Sequence, residues 1–171
     1  MRETILQFID GLGLSPEIAV LLLATLPIFE LRGSVPIGIL LFKLPVLETA
    51  FYSILGNMLP IVFLLLLFEP VYKWLSRYER MDTLFQWVFK RTRRKGKLIE
   101  RLEVMGLVLF VSIPLPVTGA WTGSVAAFLF EIPFWKALPA ILCGVTIACI
   151  VVSLASLGVI QLPGIFGVSA P

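Results

Sequence analysis

The sequence predicts an all-α integral membrane protein, and its composition and apolar patterning carry that prediction. The chain has 171 residues, of which 58% are hydrophobic, and its mean hydropathy is +0.99. Soluble domains are usually about 45–50% apolar. The excess lies in four long stretches, and about 20 apolar residues are enough for a helix to cross the hydrocarbon core. The stretches are 18–42, 46–68, 104–130 and 134–160.

The second and fourth stretches each read as one spanning helix, whereas the first and third are interrupted. Proline removes a backbone donor and clashes with the preceding helical turn, so we expect a break in each interrupted stretch, around Glu30–Pro36 and around Pro114–Gly123. The interrupting residues are Pro27, Glu30, Arg32, Gly33 and Pro36 in the first stretch, and Pro114, Pro116, Gly119 and Gly123 in the third.

The two halves of the chain align with an offset of 88 residues, from Phe42–Pro45 to Phe130–Pro133 and from Gly56 to Gly144. Broken segments in matching positions of two halves are typical of a transporter site. We therefore predict one membrane domain, 1–171. Its parts are repeat one at 16–69, a linker at 70–103, repeat two at 104–160 and a short tail at 161–171.

Two membrane topologies follow from this pattern. If all four stretches span, the halves are parallel and both termini are cytoplasmic. If each broken stretch is a re-entrant hairpin followed by one transmembrane helix, the repeats are inverted and both termini lie outside. We favour the hairpins, because arms of about 10 residues rise only about 15 Å. Irregular backbone at membrane depth must face protein or water, so the two tips would face each other.

The polar linker 70–103 is predicted to be a basic amphipathic cytoplasmic helix. It holds ten of the fourteen Lys and Arg residues and four acids, and the positive-inside rule places such a segment in the cytoplasm. Apolar side chains recur in it at steps of three and four, as on an interfacial helix. The cluster 90–97 is expected to lie against anionic headgroups. Nucleic-acid binding is not expected, because a juxtamembrane basic segment already explains the charge.

The first break carries the charge of the candidate site. Charges inside apolar stretches are costly and usually face a cavity or a partner, and Glu30 and Arg32 are such charges. Arg32 beside open amides of Gly33 and Ser34 suits a phosphate or carboxylate, and Glu30 would couple to protons or balance charge. At this spacing the two would not face each other on a regular helix. Either the chain is irregular here or their partners lie on the second hairpin. The alternative to a functional role is that Glu30 and Arg32 form a buried ion pair that only fixes the hairpin.

The second break supplies hydroxyls and one indole. Thr118, Trp121 and Thr122 are expected to line the opposite side of the site, and Asn57 is another polar group at membrane depth. The full set of candidate substrate- or ion-binding residues is Glu30, Arg32, Gly33, Ser34, Pro36, Asn57, Pro114, Pro116, Thr118, Gly119, Trp121, Thr122 and Gly123.

Enzyme chemistry is not expected. The chain contains no histidine, which removes His-based catalysis and His metal ligands. No serine lies in a G-x-S-x-G context, and the aspartates Asp10 and Asp82 lie outside the apolar stretches. Cys143 and Cys149 read as packed small residues. We predict no catalytic residue, no metal and no cofactor.

The segments Glu30–Pro36 (ELRGSVP) and Pro114–Gly123 (PLPVTGAWTG) resemble those of the small multi-drug export protein family. The resemblance covers nearly the whole chain and implies an exporter. The family is distantly similar to the DedA superfamily (SNARE-associated or VTT proteins), which implies two facing re-entrant hairpins with essential acidic and basic residues at their tips. Glu30 and Arg32 match that character. The second tip has no arginine, which departs from the DedA pattern. This departure either argues against proton-coupled polyprenyl-phosphate transport or leaves anion binding to Arg32.

Three functions follow from these observations. The first is a multi-pass transporter of the inner or plasma membrane that exports a drug-like amphipath or lipid-linked anion through a site between the two hairpins. The second is a lipid scramblase without energy coupling. The third is a scaffold that recruits a partner through the basic helix. Membrane lipids are expected partners throughout, and the small size of the chain favours a homodimer.

Overall fold

A computed structural model describes residues 13–75, 103–114 and 118–158. All regular elements in these ranges are helical, which confirms the all-α class. They are α1 (Pro16–Thr25), α2 (Glu30–Pro36), a π-helical segment (Ile37–Leu41), α3 (Val46–Leu75), α4 (Glu103–Ser112), α5 (Ala120–Leu129) and α6 (Phe134–Ser156). Pro116, the tail 161–171 and all of the linker except 70–75 and Glu103 lie outside the described residues.

Two helices are long and apolar enough to cross a membrane, namely α3 over Val46–Phe68 and α6 over Phe134–Ser156. The second and fourth apolar stretches therefore form single helices, as predicted. Both continue through internal prolines, Pro60 and Pro70 in α3 and Pro139 in α6. Prolines are tolerated in membrane helices because neighbouring groups satisfy the freed carbonyls.

The first interrupted stretch is broken, but earlier than expected. Helix α1 ends at Thr25, Leu26 is extended, and α2 begins at Glu30. The break therefore lies just before Glu30–Pro36, the region around which it was predicted, and these residues themselves form α2. Pro36 ends α2, and the following π-helical segment carries the chain onward, with the Phe42 amide donating to the Ile37 carbonyl at 3.0 Å. Such wider turns accommodate a missing donor within a helix.

The second interrupted stretch is broken where expected, at the start of Pro114–Gly123. Helix α4 ends at Ser112 and α5 begins at Ala120. Residues 113–114 and 118–119 are not helical, and residues 120–123 of the predicted range belong to α5. The Thr118 hydroxyl donates to the Ile113 carbonyl at 2.6 Å and joins the two ends of the break.

Each interrupted stretch gives two short arms. Helices α1, α4 and α5 have 10 residues each, which corresponds to about 15 Å, half of a hydrocarbon core of about 30 Å. No arm can cross the core alone. The re-entrant placement of these arms stays a prediction.

Contacts divide the chain into two compact units. The first consists of Met1–Asn57 and Thr146–Pro171, and the second of Met58–Val145. The unit boundaries, after Asn57 and after Val145, differ by the 88 residues that relate the halves of the sequence. The helix starts Val46 and Phe134 show the same offset.

A glycine permits close packing of the first arm on a spanning helix in each unit. In the first unit, a Cβ at Gly56 would overlap the Leu21 carbonyl oxygen of α1. In the second, a Cβ at Gly144 would lie 2.7 Å from the Val111 Cβ and 2.9 Å from the Val108 carbonyl oxygen of α4. Such close approach at small residues is a usual mode of helix association in membranes.

Candidate functional site

The charged pair lies where the first stretch turns. Glu30 is 9% exposed, is the first residue of α2 and has φ +42°. A left-handed conformation costs about 1–2 kcal/mol for a residue with a side chain, and such strain concentrates at functional positions. The Glu30 carboxylate interacts electrostatically with the half-buried Arg32 guanidinium. The positive φ of Glu30 shows that the chain is irregular here, which is one of the two explanations for their spacing.

Gly33 shapes this turn and does not offer an open amide. Its N–H donates to the Phe29 carbonyl at 2.9 Å, so the expected free anion-binding donor at Gly33 is wrong, because the first turn of α2 uses it. A Cβ at Gly33 would lie 2.6 Å from the Phe29 Cδ1 atom and 2.9 Å from its Cβ. Glycine at this position therefore leaves room for the Phe29 side chain.

Ser34 joins α2 to α3. Its hydroxyl donates to the Ser53 Oγ atom at 3.0 Å, and both residues are fully buried. One turn further along, a Cβ at Gly38 would lie 2.5 Å from the Thr49 Cγ2 atom. The pairs Ser34–Ser53 and Gly38–Thr49 define an antiparallel register between the second arm and α3. If this register continues for one more turn, it brings Glu30 level with Asn57.

Three residues of α3 form a buried polar stripe, which we define as Thr49, Ser53 and Asn57. They are four residues apart and therefore share one helix face, and none is more than 1% exposed. Within the part of the chain that the structure describes, Thr49 Oγ1 and Asn57 Oδ1 have no hydrogen-bond partner. A buried polar atom without a partner costs about 1–3 kcal/mol, so it calls for an explanation.

Sequence reasoning identified Asn57 but missed Thr49 and Ser53. The available signal was the repeat of polar residues at four-residue steps inside an otherwise apolar stretch. In the second unit, the positions displaced by 88 residues are Ala137, Ile141 and Val145, all buried and apolar. The stripe therefore belongs to the first half only.

The hydroxyls of the second break bond to the backbone. Thr122 donates to the Gly119 carbonyl at 3.3 Å, and Ser124 donates to the Ala120 carbonyl at 2.8 Å. Gly119 is the N-cap of α5. Together with the bond from Thr118, these contacts shape the break.

The structure distributes the candidate residues over both units. Those of the first unit are Glu30, Arg32, Gly33, Ser34, Pro36 and Asn57, and those of the second are Pro114, Thr118, Gly119, Trp121, Thr122 and Gly123. Trp121 is half-buried, and Gly123 packs against Val111, whose Cγ2 atom would lie 2.6 Å from an added Cβ.

Two apolar spanning helices, short broken arms and a charged pair at a break define a helical membrane protein with a polar interior. The chain belongs to the family described as "putative small multi-drug export protein", which matches residues 30–151. This confirms the family that the two motifs suggested, and it makes export across a membrane the function at the coarse level. No curated protein and no solved structure matches the chain.

Proposed function

We propose that this chain exports an amphipathic or lipid-linked anion, and that Arg32 binds the anionic head of the substrate. The observation that carries the proposal is the buried carboxyl group of Glu30 two residues from the half-buried guanidinium of Arg32 at the first break. These are the only charges between Ile18 and Phe42. A charge in such a stretch is energetically costly, so the charges found there usually have a partner or a function.

The surroundings of Arg32 suit a substrate with a charged head and an apolar body. Arg32 is half-buried, and the residues just before α2 expose apolar side chains. Leu26 is 46% exposed, Ile28 88% and Phe29 40%. A guanidinium forms charge-assisted, often bidentate hydrogen bonds with phosphate or carboxylate, and these apolar side chains would contact the body of the same molecule.

Glu30 gives the site a resting state. Without substrate its carboxylate balances Arg32, and an incoming anion competes with it for the guanidinium. Glu30 then needs a different positive partner, either a proton or another cation, which provides a route to energy coupling.

The test is transport in liposomes that contain the purified protein. A fluorescent acidic amphipath is followed with the parent chain, with Arg32→Gln and with Lys136→Gln, which removes an exposed cation at the start of α6. Hydrogen bonds to charged groups contribute about 1.5–3 kcal/mol. The initial rate at low substrate should therefore fall about tenfold to a hundredfold in Arg32→Gln and stay near the parent rate in Lys136→Gln.

Two other outcomes would overturn the proposal. Equal movement of all labelled lipids, unaffected by ion gradients, Glu30→Gln or Arg32→Gln, would identify a scramblase. No movement of any substrate, with a protein captured through the linker 70–103, would identify a scaffold.

A further inference from the structure

We propose that the first unit binds one dehydrated monovalent cation of the size of Na⁺, held by the Asn57 Oδ1 atom and the Glu30 carboxylate. The site lies at the end of the buried polar stripe that is nearest the first break. This inference goes beyond export, and binding of Na⁺ alone does not depend on export.

The unpartnered oxygen of Asn57 is the first reason. Asn57 is 1% exposed, and its Oδ1 atom is buried with no donor among the described residues. An amide oxygen only accepts, so it needs a hydrogen-bond donor or a cation. A buried water needs room for about one probe sphere, and this atom has almost no surface that water could reach.

A small bare cation fits closer to oxygen than water does. Na⁺ is similar in size to Ca²⁺, whose oxygen ligands lie at about 2.3–2.6 Å, whereas a hydrogen-bonded water oxygen lies at about 2.7–2.8 Å. A tight oxygen environment therefore favours the ion over the water.

The helix register supplies the second ligand. Ser34 bonds to Ser53 and Gly38 packs on Thr49. We infer from this register that Glu30, one turn further along, lies level with Asn57. The Ser34 and Ser53 hydroxyl oxygens lie one turn away, and α1 ends at Thr25 just before Glu30. Transporters often complete Na⁺ sites with carbonyls of such broken helices.

The charge balance favours a monovalent ion. Divalent cations usually recruit several carboxylates, and the register brings a single one, whose charge Arg32 partly offsets. If the proposed function holds, binding of an anion to Arg32 and binding of Na⁺ to Glu30 strengthen each other. The anion releases Glu30 from Arg32, and Na⁺ releases Arg32 from Glu30. Such coupling is reciprocal.

Thr49 provides a matched control. It is the other stripe residue with an unpartnered buried oxygen, but eight residues of helix separate it from Asn57 by about 12 Å. One ion cannot contact both side chains. Val145 shows that valine is accommodated at the position 88 residues from Asn57, so Asn57→Val is a reasonable substitution.

The experiment measures binding of radioactive Na⁺ to the purified full-length chain in nanodiscs, with no substrate and with choline holding the ionic strength constant. The parent should bind Na⁺ saturably, one ion per chain. Asn57→Val should weaken binding about tenfold or more, as loss of about 1.4 kcal/mol or more implies. Thr49→Val should keep the parent affinity.

A second variant covers the case in which Asn57→Val does not fold. Asn57→Asp adds a carboxylate and should tighten Na⁺ binding several-fold. Absence of saturable binding by the parent, the same affinity in Asn57→Val, or no tightening in Asn57→Asp would each overturn the site. Loss of transport with Na⁺ binding intact would instead overturn the proposed function alone.

Discussion

At the scale of the residue, three described non-glycine residues have positive φ, namely Glu30 (+42°), Lys43 (+56°) and Glu131 (+55°). The last two differ by 88 in number, and each follows a helix end. Leu44 N–H donates to the Gly38 carbonyl, and Ile132 N–H donates to the Ala127 carbonyl. Glycine is the usual residue at such helix ends. Lys43 and Glu131, both exposed and charged, therefore carry backbone strain that glycine, which has no Cβ, would remove.

Lys43→Gly should stabilise the protein by about 0.5–1 kcal/mol. The left-handed conformation costs about 1–2 kcal/mol with a Cβ, and the greater freedom of glycine in the unfolded chain offsets part of the gain. Reversible unfolding in mixed micelles measures the change. The control is Lys136→Gly in α6, where the same substitution should cost about 1 kcal/mol. Equal effects of the two substitutions would contradict the strain at Lys43.

Thr49→Val should also stabilise the protein, by about 1 kcal/mol, because it removes a buried hydroxyl without a partner. Ser124→Ala is the contrasting variant, since its equally buried hydroxyl donates to the Ala120 carbonyl. Loss of that bond should be neutral or destabilising. The free energy of unfolding decides, and a large loss in Thr49→Val would show that its oxygen has a partner.

The charges at Glu30 and Arg32 were visible in the sequence, because no other charge interrupts that stretch. The left-handed turn at Glu30 was not. It depends on where α1 ends, and Pro27 gave only an approximate position for that end. The hydrogen bond from the Gly33 amide to the Phe29 carbonyl has the same cause. Because the break lies before Glu30, Gly33 is inside a helical turn.

At the scale of the element, the prolines predicted that the helices break, but they did not show which proline interrupts a helix. Pro27 lies in the first break, whereas Pro36 is the last residue of α2 and is followed by the π-helical segment. Pro60 and Pro139 lie within the spanning helices. A proline breaks a helix only where packing does not compensate for its missing donor. Sequence alone does not contain that packing. The spanning helices were predictable because length and apolarity suffice for them.

The contact between the second arm and α3 can be tested by crosslinking. In a chain carrying Cys143→Ser and Cys149→Ser, the pair Ser34→Cys and Ser53→Cys should form a disulfide on mild oxidation, since the native hydroxyl oxygens are 3.0 Å apart. Mass spectrometry of the digested protein detects the linked peptides. Ser34→Cys with Leu55→Cys is the control, because Leu55 is 45% exposed. More efficient linkage in the control would show that α2 meets another face of α3.

At the scale of the whole molecule, the halves share boundaries but not chemistry. The starts of α3 and α6, the left-handed residues Lys43 and Glu131, and the two unit boundaries each differ by 88 residues. The repeat itself stays a prediction. The first half has a charged pair and a buried polar stripe, while the corresponding spanning-helix residues of the second half are apolar. Sequence identity between the halves is low, so the matching helix boundaries were harder to predict than the difference in their polar residues.

The membrane topology is the remaining prediction, and labelling from one side tests it. Ser15 precedes α1, Lys43 follows the π-helical segment, and Trp74 lies beyond the spanning part of α3. If the first broken stretch re-enters, Ser15→Cys and Lys43→Cys should react with an impermeant maleimide from outside the cell. Trp74→Cys, in the first part of the basic linker 70–103, should react only after permeabilisation. The native cysteines are replaced by serine in each variant.

The sidedness of Ser15 and Lys43 separates the two topologies, because both lie at the outer ends of short arms. Two arms of about 15 Å each can descend and return, or they can together form one kinked crossing. A return places both residues on the same side, and a crossing places them on opposite sides. Labelling of Lys43→Cys from outside with Ser15→Cys protected would show that the stretch spans, which would leave the N-terminus in the cytoplasm and exclude inverted halves.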